Sequence, residues 1–217
     1  MDRQKNYTRR DHMRGFSLIE LVIVVFVIMV IAAIVIPNVL LAVSNLRLRG
    51  SAGDLAGLMQ QARIVAAKNN ATYPIRFGVR NNAQIAFVDL NGNGVWDANV
   101  TVNGVNMSEP DMAFAGTVVP ASAAPGQAGG PPTSYVLAGD SSTGTPYDNT
   151  STLAYSPRGL PCNYDTTTTP ATCATPAATY FVFYMSDTRA GAPGWAAVVV
   201  TKSGRSKVVT WNGGTWQ

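Results

Sequence analysis

Sixteen apolar residues run without a break from Leu21 to Ile36, and the pattern that follows them is of another kind. Counted from Phe16, the stretch to Ile36 holds 21 residues. As an α-helix at 1.5 Å per residue it is about 31 Å long, which matches the roughly 30 Å hydrocarbon core of a bilayer. A membrane-spanning helix is therefore predicted over 16–37. Past Pro37, residues Leu48, Ala52, Leu55, Met59, Ala62 and Ala66 recur at three- and four-residue spacing, with Arg49, Gln60, Arg63 and Lys68 between them. That period predicts an amphipathic helix over 38–69 with one face packed on a sheet. Pro37 removes a backbone donor and crowds the preceding turn, while Gly50, Gly53 and Gly57 lower helix propensity, so the rod carries places to bend or melt.

From Tyr73 the pattern changes to short alternating or apolar runs bounded by Gly, Asn, Asp, Pro and Ser. They cover 73–79, 84–89, 100–107, 112–119, 134–138, 153–156, 180–185, 195–201 and 206–211. Such runs predict an antiparallel β domain over 70–217. The stretches 120–133, 139–151 and 163–179, rich in Pro, Ala, Gly, Ser and Thr, read as surface loops or insertions. The expected fold class is α+β: a long N-terminal helix, transmembrane and then amphipathic, packed on an antiparallel β-sheet domain.

Composition agrees with this division. Of 217 residues, 47% are hydrophobic and 13% charged, with a mean hydropathy of +0.09, which excludes wholesale disorder. The formal charge of +4 would suggest acidic partners, but its position matters. Residues 1–15 hold Arg3, Lys5, Arg9, Arg10 and Arg14 against Asp2 and Asp11, a net +3, and the body is left near neutral. A basic flank before an apolar span stays cytoplasmic, so the C-terminal body is expected to be exported. A cleavable secretory signal would end in small residues behind its apolar run, whereas this run continues past Pro37-Asn38 into helix-compatible sequence. The sole histidine, His12, lies in the basic stretch. The body then has no imidazole for a triad, a general base or a His-ligated metal. With no P-loop or nucleophile-base pair either, no enzyme is expected.

Glu20 is the one charge between Phe16 and Ile36. It reads as a carboxylate solvated by headgroups and favoured by the helix dipole. Alternatively, a cut between Gly15 and Phe16 would create an α-amino cation four residues away, able to pair with Glu20 within one helix or between neighbours. Arg14-Gly15-Phe16-Ser17-Leu18-Ile19-Glu20 and the apolar run behind it resemble the class III signal of type IV pilins and type II secretion pseudopilins. The resemblance implies that 1–15 is a leader removed after Gly15 by a prepilin peptidase and that Phe16 is N-methylated. It implies assembly through Phe16, Glu20 and Pro37 into a filament of other pilins or pseudopilins. The chain would first reside in the bacterial inner membrane with its N-terminus cytoplasmic, and the α+β fold would be pilin-like.

Three later motifs are similar to the minor GspH and FimT branch, in that order: Phe87 to Asp97, Leu153 to Gly159, and Val198 to Arg205. The branch implies a minor pseudopilin or minor pilin, with a DNA-binding competence pilin as the alternative. Asp89, Asn91, Asn93 and Asp97 stand at positions 1, 3, 5 and 9 of a calcium-loop spacing with Gly94 at the turn. Position 12 is Val100, however, and two Asn-Gly pairs are already explained by a tight turn. Calcium is thus weighed against no cofactor at all. Lys202, Arg205 and Lys207 surround Gly204. They read as a hairpin turn with solvated cations or, because FimT-like proteins can present Gly-Arg-x-Arg there, as phosphate contacts to DNA. Lysine at the fourth place lacks arginine's fork, and Trp211 and Trp216 are near enough in sequence to stack on bases. Cys162 and Cys173, the only cysteines, are expected to pair on the exported side; two thiols alone do not make a tetrahedral zinc site.

Overall fold

A computed structural model describes residues 16–121, 153–165, 172–174, 180–187, 194–211 and 216. Helix α1 spans Leu18–Asn69 without interruption, so the two predicted helical segments are one. At Pro37 the ring takes one donor from the ladder, and the side-chain amide of Asn38 donates to the Ile34 carbonyl at 3.0 Å. The helix stops where Asn70 adopts a left-handed φ of 51° and the Ala71 N–H reaches back to the Ala66 carbonyl at 3.2 Å, a Schellman closure that asparagine tolerates. A Cβ at Gly50, Gly53 or Gly57 would meet nothing within 4 Å. Packing in this chain does not call for glycine there; each costs the helix about 1 kcal/mol relative to alanine.

The chain divides into two compact units, Met1–Ala42 and Val43–Gln217. In the first, every described residue is exposed except half-buried Ala32. In the second, α1 buries Leu48, Ser51, Ala52, Leu55, Leu58, Met59, Ala62 and Ala66. These include all six positions that the period singled out.

Strands β1 (Tyr73–Arg80), β2 (Ala83–Val88), β3 (Val100–Val102), β4 (Val105–Met107), β5 (Asp111–Ala113) and β6 (Val118–Ala121) come first. They are followed by β7 (Leu153–Tyr155), β8 (Pro161–Asp165), β9 (Thr172–Ala174), β10 (Tyr180–Asp187), β11 (Trp195–Thr201) and β12 (Ser206–Trp211). Among the described residues all pairings are antiparallel. One sheet runs β5-β2-β1-β7-β8-β9, another β12-β11-β10-β6, and β3-β4 is a separate hairpin. The apolar face of α1 shares one core with Ile75, Val88 and Leu153 of the larger sheet and with Phe181, Phe183, Met185 and Val198 of the smaller. Strand alternation puts Val182, Tyr184, Ala197, Val199 and Val209 on the opposite face of the smaller sheet. There they form a second cluster with Trp216, whose ring lies 5.8 Å from Tyr184 and 5.5 Å from Trp211.

The layout is the α+β one expected, with local differences. The run 100–107 folds back at Asn103-Gly104, where φ is 50° and 79°, the positive pair that a tight hairpin turn requires. The run 112–119 breaks at Gly116, φ 60°, so that β5 joins the larger sheet and β6 the smaller. Within 163–179, expected as a loop, β9 pairs with β8. Expected strand 134–138, loop 139–151 and most of loop 120–133 lie outside the described residues. Buried polar groups pin the layers together: the carboxylate of Asp187 accepts hydroxyl hydrogen bonds from Ser44 of α1 and from Thr117, and the Ser51 hydroxyl accepts the Ala115 N–H at 3.0 Å. Left unbonded, such groups would cost free energy in an apolar setting.

Leu55 is 1% exposed and Ile64, on the outer face of α1, is 65% exposed. Leu55→Ala should cost about 2–5 kcal/mol in denaturant unfolding of the detergent-solubilised chain, and Ile64→Ala no more than about 0.5 kcal/mol. Equal costs would contradict this packing.

Candidate functional site

Phe16, 82% exposed, precedes α1, and Glu20 lies exposed in its first turn. The unpaired N–H groups at a helix start favour a carboxylate there. Gly15 lies outside the described residues. Behind Glu20 the helix is long and apolar enough to cross a membrane, with an 18-residue window of mean hydropathy 3.4 and none of it buried. An apolar surface of that extent needs lipid or neighbouring helices to cover it.

In the folded domain, Asp89 is fully buried and organises the loop behind β2. Its Oδ1 accepts the Gly92 N–H at 2.6 Å and its Oδ2 the Gly94 N–H at 2.9 Å, with Arg76 Nε 3.7 Å away. Gly92 and Gly94 have φ of 76° and 77°, which explains glycine at both. Asp97 Oδ2 accepts the side-chain amides of Asn91 at 2.8 Å and Asn93 at 2.7 Å. All four residues of the calcium-like spacing therefore meet in one loop, bonded to its own N–H groups.

Glu109, absent from the sequence-based expectation, belongs to this loop as well. It is 1% exposed; Oε1 accepts the Leu90 N–H at 2.7 Å and Oε2 the Asp97 N–H at 2.9 Å. Burial pushes its carboxyl above the ordinary value against the pull of those two backbone bonds, and the charges of Asp89 and Asp97 push the same way as burial. Trp96 Nε1 donates to the Glu109 carbonyl at 3.1 Å, while Arg80 stacks 4.1 Å from the Trp96 ring centre and pairs with Asp111 at 2.7 Å. Among the described residues, no group of three or more His, Cys, Asp or Glu is arranged to hold a metal ion.

Lys202, Arg205 and Lys207 are all exposed around the β11-β12 turn, where Gly204 has φ 80° and its N–H bonds the Thr201 carbonyl at 2.8 Å. Lys207 is in register with Val199 and so lies on the opposite sheet face from Ser206, whose hydroxyl accepts Gln60 Nε2 from α1 at 3.2 Å. Folding adds two cations. Arg63 of α1 lies against the turn glycines: a Cβ at Gly159 would stand 3.0 Å from Arg63 Cγ, and one at Gly204 would stand 3.5 Å from its guanidinium. Arg158, exposed, shares with Lys202 a pocket of about 330 Å³ beside the disulfide. Trp216 is 3% exposed against Tyr184 and Trp211, so the base-stacking role expected of it is excluded by its packing.

Cys162 and Cys173 are disulfide-bonded across β8 and β9, Cα–Cα 5.4 Å. Tyr164, paired in register with Cys173, has its ring 5.5 Å from the Arg76 guanidinium. That contact ties the disulfide hairpin to the Asp89 loop.

Among known proteins, residues 10–36 match the prokaryotic N-terminal methylation motif, and no curated protein or solved structure matches the chain. The motif is the type IV pilin and pseudopilin signal, the sequence a prepilin peptidase processes. It ends in the first half of α1, on an α+β layout consistent with a pilin-like fold.

For calcium at the Asp89 loop the measurement is thermal melting. A calcium site there would show as a melting temperature that millimolar calcium raises by several degrees in the wild-type chain and leaves unmoved in Asp97→Ala. An unmoved wild type removes calcium from the account.

Proposed function

We propose that this chain is a minor pseudopilin or minor pilin of the GspH/FimT kind, a structural subunit of a type II secretion or type IV pilus filament. In this reading a prepilin peptidase cuts after Gly15 and methylates Phe16, and α1 holds the subunit in the inner membrane with its N-terminus cytoplasmic until assembly. The observation that carries it is the contrast along α1. Its first half is exposed and apolar with one acid at the tip, and its second half is the core of a folded domain.

Assembly exchanges lipid around Leu21–Ile36 for the same residues of neighbouring helices, which changes little in apolar burial. Discrimination then comes from charge. The Phe16 amine and a Glu20 carboxylate neutralise each other only in the correct register. A slipped helix leaves one of them unpaired in apolar surroundings at a cost of about 3–5 kcal/mol. Nucleic-acid binding through Lys202, Arg205 and Lys207 has their exposure and the nearby Arg63 and Arg158 in its favour, but the buried Trp216 removes a stacking platform.

Glu20→Ala should leave membrane insertion and leader removal intact while lowering recovery of the subunit in sheared filaments by about tenfold or more, as expected for loss of a pairing above ~1.4 kcal/mol. Incorporation at the wild-type level would refute the proposed register mechanism.

A further inference from the structure

The pocket beside the disulfide is built by three separate segments: the turn after β7 brings Arg158 and Leu160, the β8-β9 hairpin brings Pro161, Cys162 and Cys173, and the β11-β12 turn brings Lys202. At about 330 Å³ it has room for a bulky apolar side chain and a stretch of backbone. Leu160, 43% exposed, Pro161, Ala174 and the disulfide give it apolar and sulfur walls beside the polar Ser156, and among the described residues its lining holds cations from two segments and no acid. Arg63 sits behind the same turns against Gly159 and Gly204, adding a third positive charge close by. β9, which supplies part of the wall, is the last strand of the larger sheet among the described residues.

We propose that this pocket is a docking site for an acidic peptide segment of a partner protein, an apolar side chain seated between Arg158 and Lys202 with carboxylates on either side of it. Charge complementarity selects the ligand's sign, and the apolar walls select its body. Nucleic acid fits less well. Among the described residues no aromatic ring lines the pocket to receive a base, and the tail tryptophan that could have done so is packed on Tyr184. That last strand beside the pocket also gives an extended peptide a backbone to run along. The proposal concerns the exported domain and does not depend on how α1 assembles.

The test uses the full-length chain in zwitterionic detergent micelles and a fluorescein-labelled peptide, Gly-Glu-Leu-Glu-Gly, read by fluorescence anisotropy. Saturable binding is expected, weakened at least tenfold by Arg158→Glu combined with Lys202→Glu and severalfold by Leu160→Ser, with melting temperatures showing that each variant is folded. A Gly-Glu-Gly-Glu-Gly peptide should bind at least fivefold more weakly. Four outcomes overturn the proposal: no saturable binding, binding indifferent to the double charge reversal, equal binding of the two peptides, or a single-stranded oligonucleotide that binds more tightly through Arg158 and Lys202 than the leucine peptide does. If the double variant does not fold, Lys202→Gln alone replaces it, and an unchanged affinity in that variant counts against the site.

Discussion

Everything in this molecule is arranged around apolar surface that the chain does not cover by itself. From Leu18 to Leu41 nearly every side chain of α1 stands exposed, although an 18-residue window of the helix has a mean hydropathy of 3.4. Surface of this kind does not persist in water, so the state of the protein at any moment is defined by what covers it, first lipid and then neighbouring helices. Lipid and neighbouring apolar helices are nearly equivalent as apolar solvents, which keeps the transfer between them energetically shallow. In the proposed assembly, the single acid at the helix tip is what selects among neighbours.

The same helix serves two environments because its hydrophobic pattern changes along its length. From Leu21 to Ile36 it is apolar all round, as suits a helix in lipid or in a helical bundle. After Val43 the apolar residues narrow to one stripe, which two sheets cover. Asp187 fixes the beginning of that second regime by holding both Ser44 and Thr117, while Pro37 and Asn38 modify the backbone ladder shortly before it. On the far side of the smaller sheet, Trp216 closes a second apolar cluster. The folded domain thereby buries residues on both faces of that sheet.

The helix, its buried face and most strands could be read from the chain because each depends on a local period. Leu48, Ala52 and Leu55 announce a helical face whatever they pack against, and β10 to β12 announce themselves by apolar runs. The breaks at Asn103-Gly104 and Gly116 carried a local signal too, since residues that favour positive φ stood inside runs that were otherwise strand-like. The site chemistry was less accessible. Asp89, Asn91, Asn93 and Asp97 form a readable cluster, but Glu109 reaches it only after the β3-β4 hairpin has intervened, so no fixed spacing could place it. Arg63 and Arg158 join Lys202 through tertiary folding alone, from α1 and from the turn after β7. Trp216 looked available as a base platform because its burial depends on a bridge back to Trp211 and on the Tyr184 ring, and neither contact leaves a local mark in the sequence.

The central claim is that α1 is a processed assembly helix whose mature head is the amine of Phe16 beside Glu20. Its most direct measurement is mass spectrometry of the N-terminal peptide of the chain purified from the membranes of its native host. The account predicts that the peptide begins at Phe16 and carries one additional methyl group on its amine. A peptide beginning at Met1, or at any residue other than Phe16, would contradict it.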